Sequence, residues 1–257
     1  MGQWHQLKGK KYFSEAKMSA WRIVEDQSKS TTRKFVDTAK EHDLLEQLIE
    51  QSKPKIKYCG DEKYFKDLHY LLSTPFRYPP LKWGSRFGTR YERGIFYCSL
   101  NINTAMSEKA FYLMTFLHAS EGNLGGKTTP YTAFKIHIES MKFVNFLVRP
   151  FSDFEEEISS KISYQFSQML GREMREDDVQ CFQYRSARCH EKGINVGIYT
   201  PEVLTKNENL EESFQHLNCY ITKDVIEFSP KPNYKASTYV FPLEMFLVEG
   251  KIPLPPN

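Results

Sequence analysis

The chain has 257 residues, of which 40% are hydrophobic and 26% charged, and its formal net charge is +3. These values are typical of a globular protein, and a chain of this length buries enough apolar surface to fold without a metal or a disulfide. The basic excess is small and lies in the first 57 residues. It therefore indicates a solvated basic face and argues against a nucleic-acid-binding protein.

The five cysteines form no C-x-x-C pair, which argues against a redox motif or a zinc knuckle. Cys181, Cys189 and His190 could seed a metal site, but no second pair completes it, and we expect no metal. We expect reduced thiols and a cytoplasmic protein. No apolar run reaches the roughly 18 residues that span a membrane, and the N-terminus lacks the hydrophobic region of a secretory signal.

The N-terminal part of the chain predicts helices. Residues 30–54, STTRKFVDTAKEHDLLEQLIEQSKP, combine a Ser or Thr cap, an apolar stripe at helical spacing and a stop at Pro54, which together favour one helix. The stripe indicates packing on the rest of the chain, which we favour, or on a partner. The stretch GDEKYFKDLHYLLS predicts a second, shorter helix that ends before Pro75.

Strands and helices alternate in the rest of the chain. GIFYCSL predicts a strand, and TAMSEKAFYLMTFLHAS predicts a helix capped by Asn103 or Thr104. Alternation from Phe134 to Ile138 indicates one or two strands, and FEEEISSKISYQFSQMLGREM predicts a single amphipathic helix. Further strands are predicted at GINVGIYTP, NCYITKDVIEFSP and STYVFPLEMFL.

This order of elements has no strict βαβ rhythm, so it predicts an α+β fold. We expect one compact domain at residues 67–250, with mixed antiparallel sheets flanked by helices. An N-terminal helical extension at residues 1–66 would pack on this domain, and residues 251–257 would form a tail.

Three polar residues stand at intervals of eleven: Arg86 in a predicted loop, Tyr97 in a strand and Glu108 near the start of a helix. A loop, a strand and the next helix can converge on one pocket. An arginine binds phosphate by a bidentate fork, a tyrosine ring can stack on a base, and a carboxylate stabilises a sugar cation. Together they indicate a nucleotide with a scissile glycosidic bond. A surface salt bridge, a rim tyrosine and a helix N-terminal glutamate stay open as purely structural explanations.

The motif GSRFG…GIFYCSLNINTAMSE resembles the signature of the RES-domain family. Members of that family have a small-Gly-Arg-aromatic loop, a strand ending in Tyr and an Ala-x-x-Glu sequence. The resemblance assigns these positions to Arg86, Tyr97 and Glu108, and FRYPP supplies Arg77 where the family has an early arginine. The segment FQYRSARCHEKGINVGIYTP is similar to the family's Tyr-x-Ser-x-Arg segment, which places the family serine at Ser186.

The resemblance spans roughly residues 68–228, and the N-terminal segment resembles the extension of a longer subgroup of the family. The loop departs from the family pattern at Ser85 and Phe87, where many members have Gly and Trp, and Cys98 follows the strand tyrosine. These departures are compatible with the same chemistry but put the rate of the reaction and the identity of the partner in question.

The resemblance implies an NAD-consuming toxin of a bacterial toxin–antitoxin pair, with a fold similar to ADP-ribosyltransferases. Arg77 and Arg86 would hold phosphates, and Tyr97 would stack near nicotinamide. Glu108 would stabilise the ribosyl cation, and Ser186 would bond the carboxamide or a phosphate. NAD would be the substrate, with no metal required. The resemblance also implies an Xre-type antitoxin as partner, allows a homodimer within that complex, and includes no direct nucleic-acid or membrane partner.

The acceptor of the ribosyl group stays open between water, inorganic phosphate and a protein, so the chain could be a glycohydrolase, a phosphorylase or an ADP-ribosyltransferase. Two functions of other classes also stay open. A toxin-like ribonuclease would need a basic groove, and the near-neutral charge after residue 57 argues against one. A non-enzymatic interaction protein would use the apolar stripe of the N-terminal helix as its binding face.

Overall fold

The computed structural model of the protein describes residues 2–26, 62–65, 68–78, 83–120, 126–204, 206–207, 209–231 and 237–253, together with positions 38, 41, 44 and 48. Most of the helix predicted at residues 30–54 therefore lies outside the described residues. Within it, the Thr38 and Glu41 side chains each accept a hydrogen bond from the other residue's backbone N–H, at 3.2 and 3.0 Å. This reciprocal pair is a helix capping box.

Strands make up one mixed sheet in the described ranges. The strands are β1 (Ser14–Glu25), β2 (Phe96–Ser99), β3 (Lys127–Asn145), β4 (Cys181–Arg185), β5 (Ile194–Ile198), β6 (Gln215–Ile221), β7 (Val225–Pro230) and β8 (Tyr239–Pro242). The α-helices of the same ranges are α1 (Gln3–Gln6), α2 (Glu62–Phe65), α3 (Tyr70–Arg77), α4 (Ile102–Ala119), α5 (Glu155–Ile158) and α6 (Gln165–Glu176).

The sheet has the strand order β1-β2-β5-β4-β3-β6-β7-β8, and β1 also pairs with β3. The pairings β1–β2, β2–β5, β5–β4, β4–β3 and β3–β1 therefore form a closed ring of five strands. Only the β3–β4 pairing is parallel among these described strands. The predicted α+β class is confirmed, with one mixed sheet in place of several.

Two helices cover the sheet and position the site. Helix α4 buries Met106, Phe111 and Met114 in a cluster with residues of β3, β6 and β7. Helix α6 buries Leu170 and Met174 in a second cluster with aromatic residues of the sheet. Burial of side chains of this size is the main stabilising contribution to such a fold.

The expected helical character of residues 1–66 is wrong for residues 14–25. These residues form β1, which pairs with β3 from Ser14 to Glu25 and buries Ala20 and Ile23. The prediction missed this strand because its pairing partner lies more than a hundred residues away. The first turns of the chain are also held in place, since Trp4 is fully buried in the cluster around α6.

Two predicted helix boundaries are corrected. Helix α3 continues through Pro75 to Arg77. The lost backbone hydrogen bond is tolerated near the end of this short helix because Leu72 and Phe76 are fully buried. Helix α4 is capped by Asn101, whose Oδ1 accepts from the Asn103 N–H at 2.8 Å, two residues or more before the predicted caps.

The single helix predicted around residues 154–174 is interrupted. Helix α5 ends at Ile158 and α6 begins at Gln165. Ser160 Oγ accepts from the backbone N–H groups of Ile162 and Ser163, at 3.3 and 3.2 Å. Serine side chains that bond to nearby backbone in this way compete with helix continuation. The break matters for the site, because it frees two carbonyl groups that bind a buried arginine.

Candidate active site

A cavity of about 560 Å³ opens between β1, β2, α4 and the loop at residues 84–88. This volume falls in the range of pockets that hold small ligands. The lining is rich in aromatic rings and also contains three cations and one carboxylate. The aromatic and charged lining residues are Trp21, Arg22, Tyr78, Trp83, Arg86, Tyr97, Glu108, Lys109, Tyr112, Tyr164 and Tyr184.

The loop that carries Arg86 is tightly fixed. Ser85 and Gly88 pair through backbone hydrogen bonds of 2.7 and 3.3 Å. Gly84 has a φ of +74°, and a Cβ there would lie 2.4 Å from the Gly88 carbonyl oxygen, so glycine is required. Gln168 of α6 donates to the Ser85 carbonyl at 3.0 Å. The loop is therefore held both by its own turn and by a neighbouring helix.

Arg86 is buried, and its guanidinium is directed by the break between α5 and α6. Its Nη1 donates to the carbonyl oxygens of Ile158 and Ser160, at 3.3 and 2.8 Å. The guanidinium also lies over the Tyr164 ring, 4.7 Å from its centroid. Burial lowers the pKa of Arg86, but nearby groups, Tyr164 first and also Glu108, outweigh this and raise it above the ordinary value. The cation is thus kept charged in the cavity wall.

Tyr97 lines the cavity from β2, and its hydroxyl holds the same loop. The hydroxyl accepts from the Phe87 N–H at 3.1 Å and shares a hydrogen bond with Ser85 Oγ at 3.0 Å. Burial raises the pKa of Tyr97 to about 12, so the phenol is neutral at physiological pH. Tyr97 therefore connects the strand to the loop that presents Arg86.

Glu108 lies on the second turn of α4, and its Oε1 accepts two short hydrogen bonds. Ser186 Oγ and Asn195 Nδ2 both donate to it at 2.6 Å. The other oxygen, Oε2, accepts no hydrogen bond from the described residues. The carboxylate is thus oriented through one of its two oxygens.

Ser186 and Asn195 are themselves fixed, so they hold the carboxylate firmly. Ser186 Oγ accepts from the N–H groups of Arg188 and Cys189, at 3.1 and 3.0 Å. Asn195 Oδ1 accepts from Ser99 Oγ at 2.7 Å. The Ser99, Ser186 and Asn195 side chains of this network are buried, so solvent does not compete for their hydrogen bonds.

The structure thus brings four of the five predicted site residues together. Arg86, Tyr97 and Glu108 line one cavity, and Ser186 contacts Glu108. Arg77 is the last residue of α3 and is not among the residues that line the cavity. The loop, strand and helix predicted to converge on one pocket do converge.

Sequence reasoning missed a second arginine in the cavity wall. Arg22 of β1 donates from Nη1 to the Tyr97 carbonyl at 2.6 Å and lies over the Phe96 ring, 4.5 Å from its centroid. Burial lowers the pKa of Arg22 to about 10, so it stays charged at neutral pH. A sequence signal for this arginine exists in WRIVE, where one cation interrupts a run of β-forming residues. The strands that pair with this segment are distant in sequence, so the signal does not show which site the arginine joins.

Asn195 was also missed, although it stands as the polar residue of the apolar strand β5. A polar side chain inside such a strand needs a buried hydrogen-bond partner, and here it has Glu108 and Ser99. In the described ranges no group of three His, Cys, Asp or Glu side chains, including Cys181, Cys189 and His190, is arranged so that it could hold a metal ion. In the same ranges no helix is long and apolar enough to cross a membrane.

The chain was compared with protein families, with curated sequences and with solved structures. No curated protein sequence matches the chain significantly. The structure resembles one described as "Crystal structure of the M.tuberculosis MbcT-MbcA toxin-antitoxin complex", with 10% sequence identity, a TM-score of 0.46, and coverage of 85% of this chain and 91% of that one. The model of the RES domain matches residues 64–216, more than half of the chain and the segment that carries Arg86, Tyr97, Glu108 and Ser186. The chain therefore belongs to the RES domain family.

Proposed function

We propose that this protein is a toxin-like enzyme that degrades NAD by breaking the bond between nicotinamide and ribose. The observation that carries the proposal is the Glu108 carboxylate. It is oriented through Oε1 by Ser186 and Asn195, its Oε2 is left for a ligand, and it lines one cavity with Arg86 and Tyr97. A fixed negative charge beside a sugar ring stabilises the cation that forms when a glycosidic bond breaks.

The reaction follows from these groups. The bond between ribose C1′ and the pyridinium nitrogen breaks, its electron pair stays with the nitrogen, and nicotinamide leaves as a neutral molecule. The positive charge that develops on the ribose lies next to Glu108. Water then adds to C1′ and releases one proton to the solvent, or a phosphate anion adds to C1′ through a negatively charged oxygen. No metal is needed, because the pyridinium is already a cationic leaving group.

The other groups of the cavity supply binding. Arg86 and Arg22 are cations in the wall and suit the pyrophosphate of a dinucleotide. Aromatic rings such as Trp21, Trp83 and Tyr97 provide surfaces on which nicotinamide or adenine can stack. Arg77 is left out of this assignment because it does not line the cavity. A protein acceptor for the ribosyl group, which would make the chain an ADP-ribosyltransferase, is the alternative.

The biological part of the proposal is growth arrest by NAD depletion, relieved by an antitoxin. It is supported by membership of the RES domain family. An Xre-type antitoxin is the proposed partner. Such a protein would block the cavity mouth near Arg86 and Tyr97 and leave the chain inactive until it is removed.

The test is release of nicotinamide from NAD by purified protein, with and without phosphate and with Glu108→Gln beside the wild type. We expect Glu108→Gln to keep the fold and lose about 10²–10³-fold in turnover, the usual cost of removing one positioned polar group. Expression of the wild type should arrest growth and lower cellular NAD, and Glu108→Gln should do neither. Arrest with unchanged NAD, or equal turnover of the two proteins, would show the proposal to be wrong.

A further inference from the structure

Lys109 follows Glu108 on α4 and lines the same cavity, but the chemistry proposed above does not use it. Its ammonium lies over the Tyr131 ring, 5.4 Å from the centroid. No hydrogen bond or ion pair reaches this ammonium from the described residues. The lysine ammonium has three donors, and it lines the cavity without a protein acceptor among the described residues. A ligand group that accepts from it would form a charge-assisted hydrogen bond.

The helix separates Lys109 from the reacting bond. Successive side chains on an α-helix point about 100° apart. Glu108 reaches towards Ser186 and Asn195, whereas Lys109 reaches towards Tyr131 on β3. The cavity therefore has a carboxylate in one part and an ammonium in another. A ligand that meets both must extend from one to the other, as a nucleotide does from its ribose to its phosphates.

The surrounding charges favour an anion beside Lys109. Burial is the main cause that lowers the pKa of Lys109, and the positive charge of Arg22 lowers it further. The negative charge of Glu25 raises this pKa in part. The positive charges of Arg22 and Lys109, which line the same cavity, therefore repel each other. The charged lining residues are Arg22, Arg86, Lys109 and Glu108, an excess of two positive charges. A pyrophosphate carries the two negative charges that balance it.

We propose that Lys109 is a specificity-determining residue that binds, together with Arg22, the pyrophosphate of the dinucleotide substrate. This inference rests on the proposed function, since it assigns a further contact in the same site. It predicts that the enzyme selects pyridine nucleotides by their phosphates. Nicotinamide riboside, which has no phosphate, would make none of these contacts, and nicotinamide mononucleotide would make only part of them.

The test compares Lys109→Gln and Lys109→Arg with wild type on NAD, nicotinamide mononucleotide and nicotinamide riboside. Lys109→Gln should raise the KM for NAD about tenfold or more, the size of one lost charge-assisted hydrogen bond, with kcat nearly unchanged. Its effect on nicotinamide riboside should be small, and Lys109→Arg should restore most of the NAD affinity. The matched control is Lys127→Gln, an exposed lysine at the start of β3 that should change nothing.

Calorimetric binding of ADP-ribose to the same proteins gives a readout that needs no turnover. The anion contact is supported if Lys109→Gln weakens ADP-ribose binding while Lys127→Gln does not, even if wild type releases no nicotinamide from NAD; that result would contradict only the proposed cleavage. The contact is overturned if Lys109→Gln equals Lys127→Gln in both measurements. It is also overturned if Lys109→Gln lowers kcat equally on all three substrates, because that pattern describes a proton-transfer residue.

Discussion

At the scale of single residues, the site depends on how one carboxylate is held. Glu108 Oε1 receives both of its hydrogen bonds from buried side chains, each at 2.6 Å. Ser186 is the central member of this network, because its hydroxyl donates to Glu108 while accepting from two backbone N–H groups of the turn that follows. Under the proposed function Ser186 is a positioning residue, which acts through Glu108.

Removal of the Ser186 hydroxyl should therefore affect rate more than binding. We expect Ser186→Ala to lower kcat about tenfold with little change in KM, because the loss of one hydrogen bond of about 1–1.5 kcal/mol lets the carboxylate turn. The control is Ser107→Ala, a buried serine one residue before Glu108 whose hydroxyl bonds the Arg188 carbonyl at 2.8 Å. Steady-state kinetics decide the question: equal losses in both variants would assign Ser186 a structural role only.

At the scale of elements, the loop at residues 84–88 is positioned by its neighbours on two sides. It is held from the strand side by the Tyr97 hydroxyl and from the helix side by Gln168. Ser167 of the same helix also donates to the Arg86 carbonyl at 2.6 Å. The sequence-based role of Tyr97 was a ring that stacks on nicotinamide, and the structure adds a hydroxyl that fixes the loop.

Tyr97→Phe separates these two roles, because it keeps the ring and removes the hydroxyl. If the hydroxyl positions Arg86 through the loop, the variant should lose about tenfold in kcat/KM for NAD, since a buried N–H of Phe87 loses its acceptor. Tyr97→Leu removes ring and hydroxyl and should lose more. Full activity of Tyr97→Phe in the nicotinamide-release assay would show that the hydroxyl is not needed for activity and that Tyr97 acts through its ring.

At the scale of the whole molecule, the N-terminal residues contribute a strand to the sheet and a side chain to the cavity lining. Strand β1 pairs with β3 and brings Arg22 to the cavity. The turns before it are anchored on α6, where the Trp4 indole N–H donates to Asp177 Oδ2 at 2.8 Å and Lys10 pairs with Asp177 at 2.9 Å. The family model begins at residue 64, so the N-terminal partners in these contacts, Trp4, Lys10 and strand β1, lie outside the matched segment.

This anchor predicts a pH-dependent contribution to stability. Burial raises the pKa of Asp177, but hydrogen bonds from Lys10 and Trp4 outweigh it and hold the pKa below the ordinary value. A depressed carboxyl pKa stabilises the fold above the unfolded-state pKa, and this contribution is lost as pH falls through the folded-state value. Asp177→Asn should therefore lower Tm by about 2 °C at neutral pH, a small effect because the pair is screened by solvent.

The difference in Tm between wild type and Asp177→Asn should shrink as the pH falls through the folded-state pKa of Asp177, which lies below the ordinary value for an aspartate. Thermal unfolding of both proteins over a range of pH gives the measurement, and nicotinamide release at neutral pH serves as the control, since Asp177 does not line the cavity. A difference in Tm that is constant with pH would mean that the charge of Asp177 does not stabilise the anchor.

The sequence by itself determined the local parts of this protein. The Gly-rich loop with Arg86, the strand with Tyr97 and the helix with Glu108 are each specified by residues close together in the chain, through turn glycines, β-forming residues and a helical apolar pattern. Their convergence followed because the three elements are consecutive, and the family resemblance carried by their motifs is confirmed by the family model.

Only the tertiary structure decided which distant groups complete the site. Arg22 reaches the cavity because β1 pairs with β3 across more than a hundred residues, and Arg86 is directed by carbonyl groups at a helix break that the apolar pattern of residues 154–174 concealed. Asn195 joins Glu108 because β5 lies beside β2. Each of these contacts depends on long-range pairing and buried hydrogen bonding, whose free energy is not encoded in any short segment of the chain.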